Sequence, residues 1–181
     1  MLKKIWKFIW YDDSLLSWIV NILLAFLIVK FLIYPGLGFA LGTTHPVVAV
    51  VSGSMHHDDG FDKWYDEKGD WYNFSKEDMR KWSFSNGFNK GDIMILKKAK
   101  DIEIGDIIVF NGASSNPIIH RVVFIGEDYY QTKGDNNADS FGQLGEKNIK
   151  ENQIVGKAIG RVPFLGYIKI LFTEAIGGII K

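Results

Sequence analysis

Between Leu15 and Leu41 the chain is almost continuously apolar, "LLSWIVNILLAFLIVKFLIYPGLGFAL", and in its first twenty residues only Ser17, Asn21 and Lys30 interrupt it. The hydrocarbon core of a bilayer takes about 20 such residues as helix, so this run predicts a transmembrane anchor. Lys3, Lys4 and Lys7 precede it, and beyond Lys30, which can snorkel near a helix end, no lysine or arginine follows until Lys63. That asymmetry predicts a cytoplasmic N-terminus, with everything after about Gly36 outside. A cleavable signal sequence has a shorter apolar core, roughly 7 to 15 residues, although "FALG" offers the small residues a cleavage site needs. A buried core helix would show polar periodicity, which is missing between Ile22 and Val29. The uncleaved anchor is the preferred reading.

Past the anchor the pattern changes. Short runs rich in β-branched residues, Val47–Val51, Ile93–Leu96, Ile107–Phe110, Ile118–Ile125, Tyr129–Thr132 and Ile154–Arg161, are punctuated by Gly, Asn and Asp. They predict strands of an antiparallel, mainly β domain over residues 42–163. Within it, about 60–89 reads as an insertion, with aromatic residues scattered among charges and expected to fill a local core or to face a membrane or substrate. Ser75 followed by "KED" predicts a short helix near Lys76–Trp82. The final segment, 164–181, spaces Gly166, Lys169, Thr173, Gly177 and Lys181 three or four residues apart, leaving an apolar face with Leu165, Ile168, Phe172 and Ile176. It predicts an amphipathic helix, lying in a membrane interface or packed on the domain's own core. The expected organisation is residues 1–41 as cytoplasmic N-terminus and anchor, 42–163 as a β-rich extracytoplasmic domain, and 164–181 as the terminal helix.

Composition narrows the possible functions. With 47% hydrophobic and 14% aromatic residues, 181 residues can bury a real core. Lysine plus arginine and aspartate plus glutamate both number 21, so no global charge points to nucleic acid. The absence of cysteine excludes thiolate nucleophiles and Cys-type zinc sites. "NFS" at Asn73 is an N-glycosylation pattern on the predicted outer side.

The candidate chemistry begins at "VVAVVSGSMHHDDG", residues 47–60. A serine hydroxyl needs a base to take its proton and donors to stabilise the oxyanion. Ser54 follows Gly53 just past an apolar strand, and Ser52, two residues earlier, shares its face if strand geometry continues. Alone, Ser-Gly-Ser is usually a turn. "NPIIHRVVFIG" supplies one histidine, His120, in an apolar strand, and "TKGDNNADSFG" supplies Asp135 and Asp139 on a Gly/Asn-rich loop. A carboxylate is what a catalytic histidine needs to fix its tautomer. His56, His57, Asp58 and Asp59 also invite a metal reading, but four consecutive residues cannot easily converge on one ion, and only His45 lies elsewhere. No metal and no cofactor are expected.

In order, the apolar anchor, "VVSGSM", the strand openings "GDIMIL" and "GDIIVF", "IIHRVV", "KGDNNADS" and "IGRVPFLGYI" resemble the type I signal peptidases of the archaeal and endoplasmic-reticulum kind. The resemblance covers most of residues 15–166. It implies a membrane-anchored serine endopeptidase that removes signal peptides from exported preproteins, with Ser54 as nucleophile and Ser52 at the oxyanion hole. Bacterial relatives carry a lysine base where this chain has His120, which assigns it to the Ser/His/Asp branch. "GD" matches Asp135, and the downstream aspartate falls on Asp139, at a spacing shorter than the usual pattern; both stay candidates for pairing with His120. His57 stands where the family commonly has proline. The implied partners are preproteins with signal peptides, the lipid bilayer, and the protein translocation channel or accessory subunits. The implied location is a single-pass membrane protein, in an archaeal cell membrane ahead of the endoplasmic reticulum. A competing reading from the residues alone is a non-catalytic anchored β domain that binds extended peptides by strand addition.

Overall fold

The computed structural model describes residues 2–168, 170 and 171. They form two compact units, divided between Ala40 and Leu41.

In the first unit, α1 (Leu2–Tyr11) is followed by a turn through Asp12 and Asp13 and by α2 (Leu15–Ile28), whose N-cap Ser14 accepts the Ser17 N–H. The helical run continues through a π-turn, Val29–Ile33, into α3 (Tyr34–Leu41). The π-turn has a local cause. Pro35 lacks an N–H and would press on the carbonyl one turn back, and widening the preceding turn relieves that clash. Tyr34 N–H accordingly reaches Val29 O, five residues back. From Leu15 to Leu41 this is one helix of 27 residues, long and apolar enough to cross a membrane.

The second unit is built on a six-stranded antiparallel sheet in the order β1-β2-β6-β3-β4-β5. The strands are β1 (Val47–Ala49), β2 (Ile93–Lys97), β3 (Ile107–Phe110), β4 (Ile118–Ile125), β5 (Tyr130–Lys133) and β6 (Ile154–Val162). Alternation sorts their side chains onto two faces. Met94, Leu96, Ile107, Val109 and Ala158 pack with Val50, Met55 and Phe88 on one face. Ile108, Phe110, Val122 and Ile149 pack on the other. Since β3 pairs Ile107 with Arg121 and Ile108 with His120, the two residues of "HR" leave β4 on opposite faces.

Between β1 and β2 lie α4 (Phe61–Lys68), a 3₁₀ turn (Gly69–Tyr72) and α5 (Lys76–Arg80), capped by Ser75 as expected and ending two residues earlier than expected. Phe61, Trp64, Tyr72 and Met79 form a local core, against which Tyr65, Trp82 and Val123 of β4 pack. The aromatics are thus mainly an internal core, with Trp71 and Phe74 left partly exposed. Asn73 is exposed and left-handed at the end of the 3₁₀ turn. After β6 the chain turns at Pro163 and Gly166 and starts a helix at Tyr167; the rest of the expected C-terminal helix lies outside the described residues.

Candidate active site

Ser54 sits in a turn just past β1, closed by the His56 N–H on Gly53 O at 3.1 Å. Two neighbouring segments hold this turn through three hydrogen bonds. Asn136 N–H donates to Ser54 O at 2.8 Å, Phe88 N–H to Met55 O at 3.0 Å, and the Asn136 side chain to Gly53 O at 3.3 Å. Gly87 has φ +64°, and a Cβ there would stand 2.4 Å from Met55 O, so no larger residue fits beside the turn. The Ser54 N–H donates to no group among the described residues, and Ser52 Oγ lies 3.1 Å from Ser54 Oγ.

The sheet brings His120, buried in β4, to the same place: its Nε2 is 2.9 Å from Ser54 Oγ. Gly134, after β5, leaves that approach clear, since a Cβ there would be 2.9 Å from Nε2. His120 Nδ1 bonds to Glu146 Oε1. A carboxylate only accepts, so Nδ1 carries the proton and Nε2 keeps a lone pair for the Ser54 hydroxyl. Glu146 is fully buried and well partnered, taking the Phe141 N–H at 2.7 Å on Oε2 and the Thr132 hydroxyl at 3.4 Å on Oε1. The backbone puts it there, because Thr132 N–H donates to Glu146 O at 2.9 Å and so lays the returning loop beside β5.

Neither expected aspartate occupies that position. Asp139 takes the N–H of Ser140 at 2.7 Å and faces Lys147 at 3.5 Å, with over half its side chain exposed. The Ser140 N–H, and after it Lys147, holds its carboxyl below the ordinary range. Asp135 is fully buried but turned away, because both of its oxygens are engaged by Arg121, Nε at 2.8 Å and Nη2 at 2.7 Å. His57 Nε2 donates to Asp135 Oδ2 at 2.9 Å, Tyr72 OH to Oδ1 at 3.1 Å, and Trp64 Nε1–H to the Asp135 carbonyl at 2.9 Å. Burial alone would raise this carboxyl, but the Arg121 guanidinium and His57 override it and keep Asp135 ionised far below its usual range. Burial and the adjacent Asp135 charge push the Tyr72 phenol upward. Arg121 also donates to the carbonyls of Ser83, Gly105 and Phe84, joining the insertion to the sheet.

The four residues after Met55 diverge. His56 bonds to Asn89 and Asp58, Asp59 pairs with Lys63 at 2.6 Å, and His57 is buried, stacked on Trp64 at 4.1 Å. Among the described residues no three His, Cys, Asp or Glu side chains group to hold a metal. Trp64 and Tyr72 are among the insertion's aromatics, expected only to fill a local core, and neither Arg121 nor Glu146 has an expected role. Arg121 carried a signal, a charged residue inside an apolar strand. Glu146 stands in "LGEKNI", where nothing marks burial.

A serine, an imidazole and a carboxylate linked in this order on an antiparallel β domain, in a chain with an apolar helix of membrane-spanning length, describe a candidate membrane-anchored serine hydrolase. No family model matches the chain. Curated proteins do. It is 32% identical over 155 residues to the signal peptidase complex catalytic subunit SEC11 of Eremothecium gossypii, covering 80% of this chain and 75% of that one. With the same subunit of Scheffersomyces stipitis it shares 31% over 156 residues, 81% and 76% of the two chains, and with that of Yarrowia lipolytica 28% over 155 residues, 80% and 73%. The chain belongs to the family of signal peptidase catalytic subunits, the type I signal peptidases of the endoplasmic-reticulum type.

Proposed function

We propose that the chain is the endopeptidase that removes signal peptides from preproteins, with Ser54 as nucleophile, His120 as general base and acid, and Glu146 as the orienting carboxylate. The observation that carries this reading is the unbroken line from Ser54 Oγ through His120 to a fully buried Glu146. Ser54 Oγ attacks the scissile carbonyl as its proton passes to His120 Nε2. The resulting imidazolium is stabilised by Glu146. The Ser54 N–H and the Ser52 hydroxyl are placed to donate to the oxyanion. Collapse of the tetrahedral intermediate breaks the C–N bond, and His120 returns the proton to the leaving amine. Water, deprotonated by the same imidazole, then releases the signal peptide as a free acid. Asp135 acts at one remove. Its N–H meets Met55 Sδ at 3.4 Å and its neighbour Asn136 holds Ser54 O, so the Arg121–Asp135 pair sets the position of the nucleophile turn.

Beside Ser54 an open groove of about 380 Å³, lined by Gly53, His56, Asn89, Lys90, Asn136 and Tyr167, gives an extended peptide room to lie against the nucleophile. Small residues one and three positions before the cut are the expected specificity. The apolar helix Leu15–Leu41 would anchor the chain with its N-terminus cytoplasmic and the β domain outside, and sharing a membrane with the substrate raises effective concentration. The relatives are named as subunits of a complex, which supports accessory subunits as partners; the translocation channel remains a physical inference from where preproteins emerge. An archaeal cell membrane gains no support from these relatives.

The test is cleavage of a labelled preprotein by the membrane-reconstituted protein. Ser54→Ala should reduce it to background while the circular dichroism spectrum stays that of the parent. Cleavage that survives Ser54→Ala and is abolished by EDTA would overturn the reading in favour of a metal hydrolase, and an inactive parent protein that still binds the peptide would leave a peptide-binding domain.

A further inference from the structure

Catalysis leaves α1 without a role. Its turn of 3.6 residues puts Lys3, Lys4 and Lys7 within an arc of roughly 100°, with Leu2, Ile5, Trp6 and Ile9 on the other side and no acidic residue in the helix. On the apolar side Leu2, Ile5 and Trp6 are uncovered, from 50% exposed at Ile5 to 83% at Leu2, and Ile9 is half-buried. In water such a face is a liability; on a membrane surface it is the binding face.

The join to α2 points the same way. Ser17 Oγ donates to Phe8 O at 2.7 Å, and Asn21 Nδ2 donates to Ile9 O at 2.9 Å. These carbonyls belong to the last turn of α1, where a helix leaves its acceptors unpaired. In hydrocarbon or at its edge, water cannot supply the missing donors reliably, and protein groups must. Ser17 and Asn21, four residues apart on one side of α2, thus interrupt the apolar run in order to satisfy α1. Trp6, Trp10 and Trp18 collect at the junction, as aromatic residues do at a membrane–water boundary. A cleft of about 350 Å³ between the helices is lined by Ile9, Trp10, Trp18, Ile22 and Ala25 together with Asp12, Asp13 and Asn21. The acidic groups here, Asp12 and Asp13, stand in the turn ahead of α2, where Asp12 accepts the Ser14 N–H at 2.8 Å.

We infer that α1 is an interfacial helix that lies along the cytoplasmic surface of the bilayer. Leu2, Ile5, Trp6 and Ile9 sink toward the acyl chains, and Lys3, Lys4 and Lys7 meet the phosphates of anionic lipid headgroups. The inference rests on the reading of Leu15–Leu41 as a membrane anchor. It adds a second, charge-selective contact that holds the cytoplasmic end of that anchor at headgroup level.

The chain has no cysteine, so single labels are clean. Full-length Ile5→Cys, Lys7→Cys and Leu23→Cys proteins carrying an environment-sensitive fluorophore are reconstituted in phosphatidylcholine, with or without phosphatidylglycerol, and quenched with iodide. The expected result is a Leu23 label that is protected throughout and a Lys7 label that is quenched. The Ile5 label should be blue-shifted and several-fold less quenched than the Lys7 label. Its protection should increase with phosphatidylglycerol, an increase lost when Lys3 and Lys4 are both changed to Gln. Equal quenching at Ile5 and Lys7 with Leu23 protected would put α1 in water and overturn the inference while the anchor stands. Protection at Ile5 that ignores lipid charge would overturn the headgroup contact. A quenched Leu23 label would remove the anchor itself and the inference with it.

Discussion

Asp139 and Glu146 offer the same functional group within one loop, and only the second reaches the imidazole. Asp139 is spent on its own backbone and a solvent-facing lysine, an exposed pair that solvent screens and that contributes little. Glu146 is dehydrated and holds the proton of His120 Nδ1, which decides whether Nε2 can accept from Ser54. Glu146→Gln keeps the shape and removes the charge, and lets the amide donate to Nδ1, which moves the imidazole proton to Nε2. The expected loss in kcat is about 10²- to 10⁴-fold with little change in KM. Asp139→Asn should stay within about twofold, as expected of an exposed side chain away from the chemistry. Steady-state kinetics on one peptide checks both, and a large loss at Asp139 with none at Glu146 would reverse the assignment. Ser54 and His120 were legible because their residue types and the order of their segments leave few alternatives. Glu146 was not, because its role comes from a loop laid against β5, a contact with no periodicity along the chain. His57, which the sequence offers only as one of four consecutive candidate metal ligands, is buried against Trp64 and donates to Asp135.

Among the elements, the insertion is the one that turns a sheet into a site. The strands were readable because alternation and β-branched residues carry the signal; helix α4 was not, since "FDKWYDEK" shows too few apolar positions to set a helical period. Its Trp64 packs on His57 and donates to the carbonyl of Asp135, so the insertion's core and the Arg121–Asp135 pair are one structure. Trp64→Phe keeps most of the packing and orphans that carbonyl, for an expected cost of about 1 to 3 kcal/mol. Trp64→Ala should cost about 3 to 5 kcal/mol. Urea unfolding orders the two, and a Trp64→Phe protein as stable as the parent would show that the hydrogen bond contributes nothing. Lys133 lies in the same layer, its Nζ over the rings of Trp71 and Tyr72 and 3.3 Å from Tyr72 OH. Burial lowers its ammonium from 10.5 to about 8. From pH 8 to 10.5 the unfolded chain still holds this proton and the folded chain has released it. The contribution of Lys133 to stability therefore increases with pH across that window and is lost as pH falls through about 8. The stability difference between the parent and Lys133→Met should move in the parent's favour as pH rises through that window; a constant difference would mean that the lysine does not titrate there.

For the molecule as a whole, the division after residue 40 separates anchoring from chemistry. Every group in the proposed mechanism, from Ser52 to Glu146, lies in the second unit, and so do the strands and the three buried clusters that position them. Leu41 and Thr43 already belong to that unit's bonding, through Lys98 N–H on Leu41 O at 2.7 Å and the Thr43 hydroxyl on Val155 O at 2.8 Å. A protein starting at Leu41 should therefore keep the fold and the Ser54–His120–Glu146 line. If the anchor acts by confining enzyme and substrate to one surface, its removal takes away effective concentration and leaves the intrinsic chemistry in place. The expected outcome is kcat/KM on a short soluble peptide within about threefold of the full chain, but a loss of about 10² to 10⁴ on a preprotein embedded in vesicles, the range that tethering supplies. Parallel assays of the two substrates check it. An equal loss on both would mean that residues before Leu41 shape the site itself, and no loss on the embedded preprotein would mean that the anchor contributes nothing to encounter.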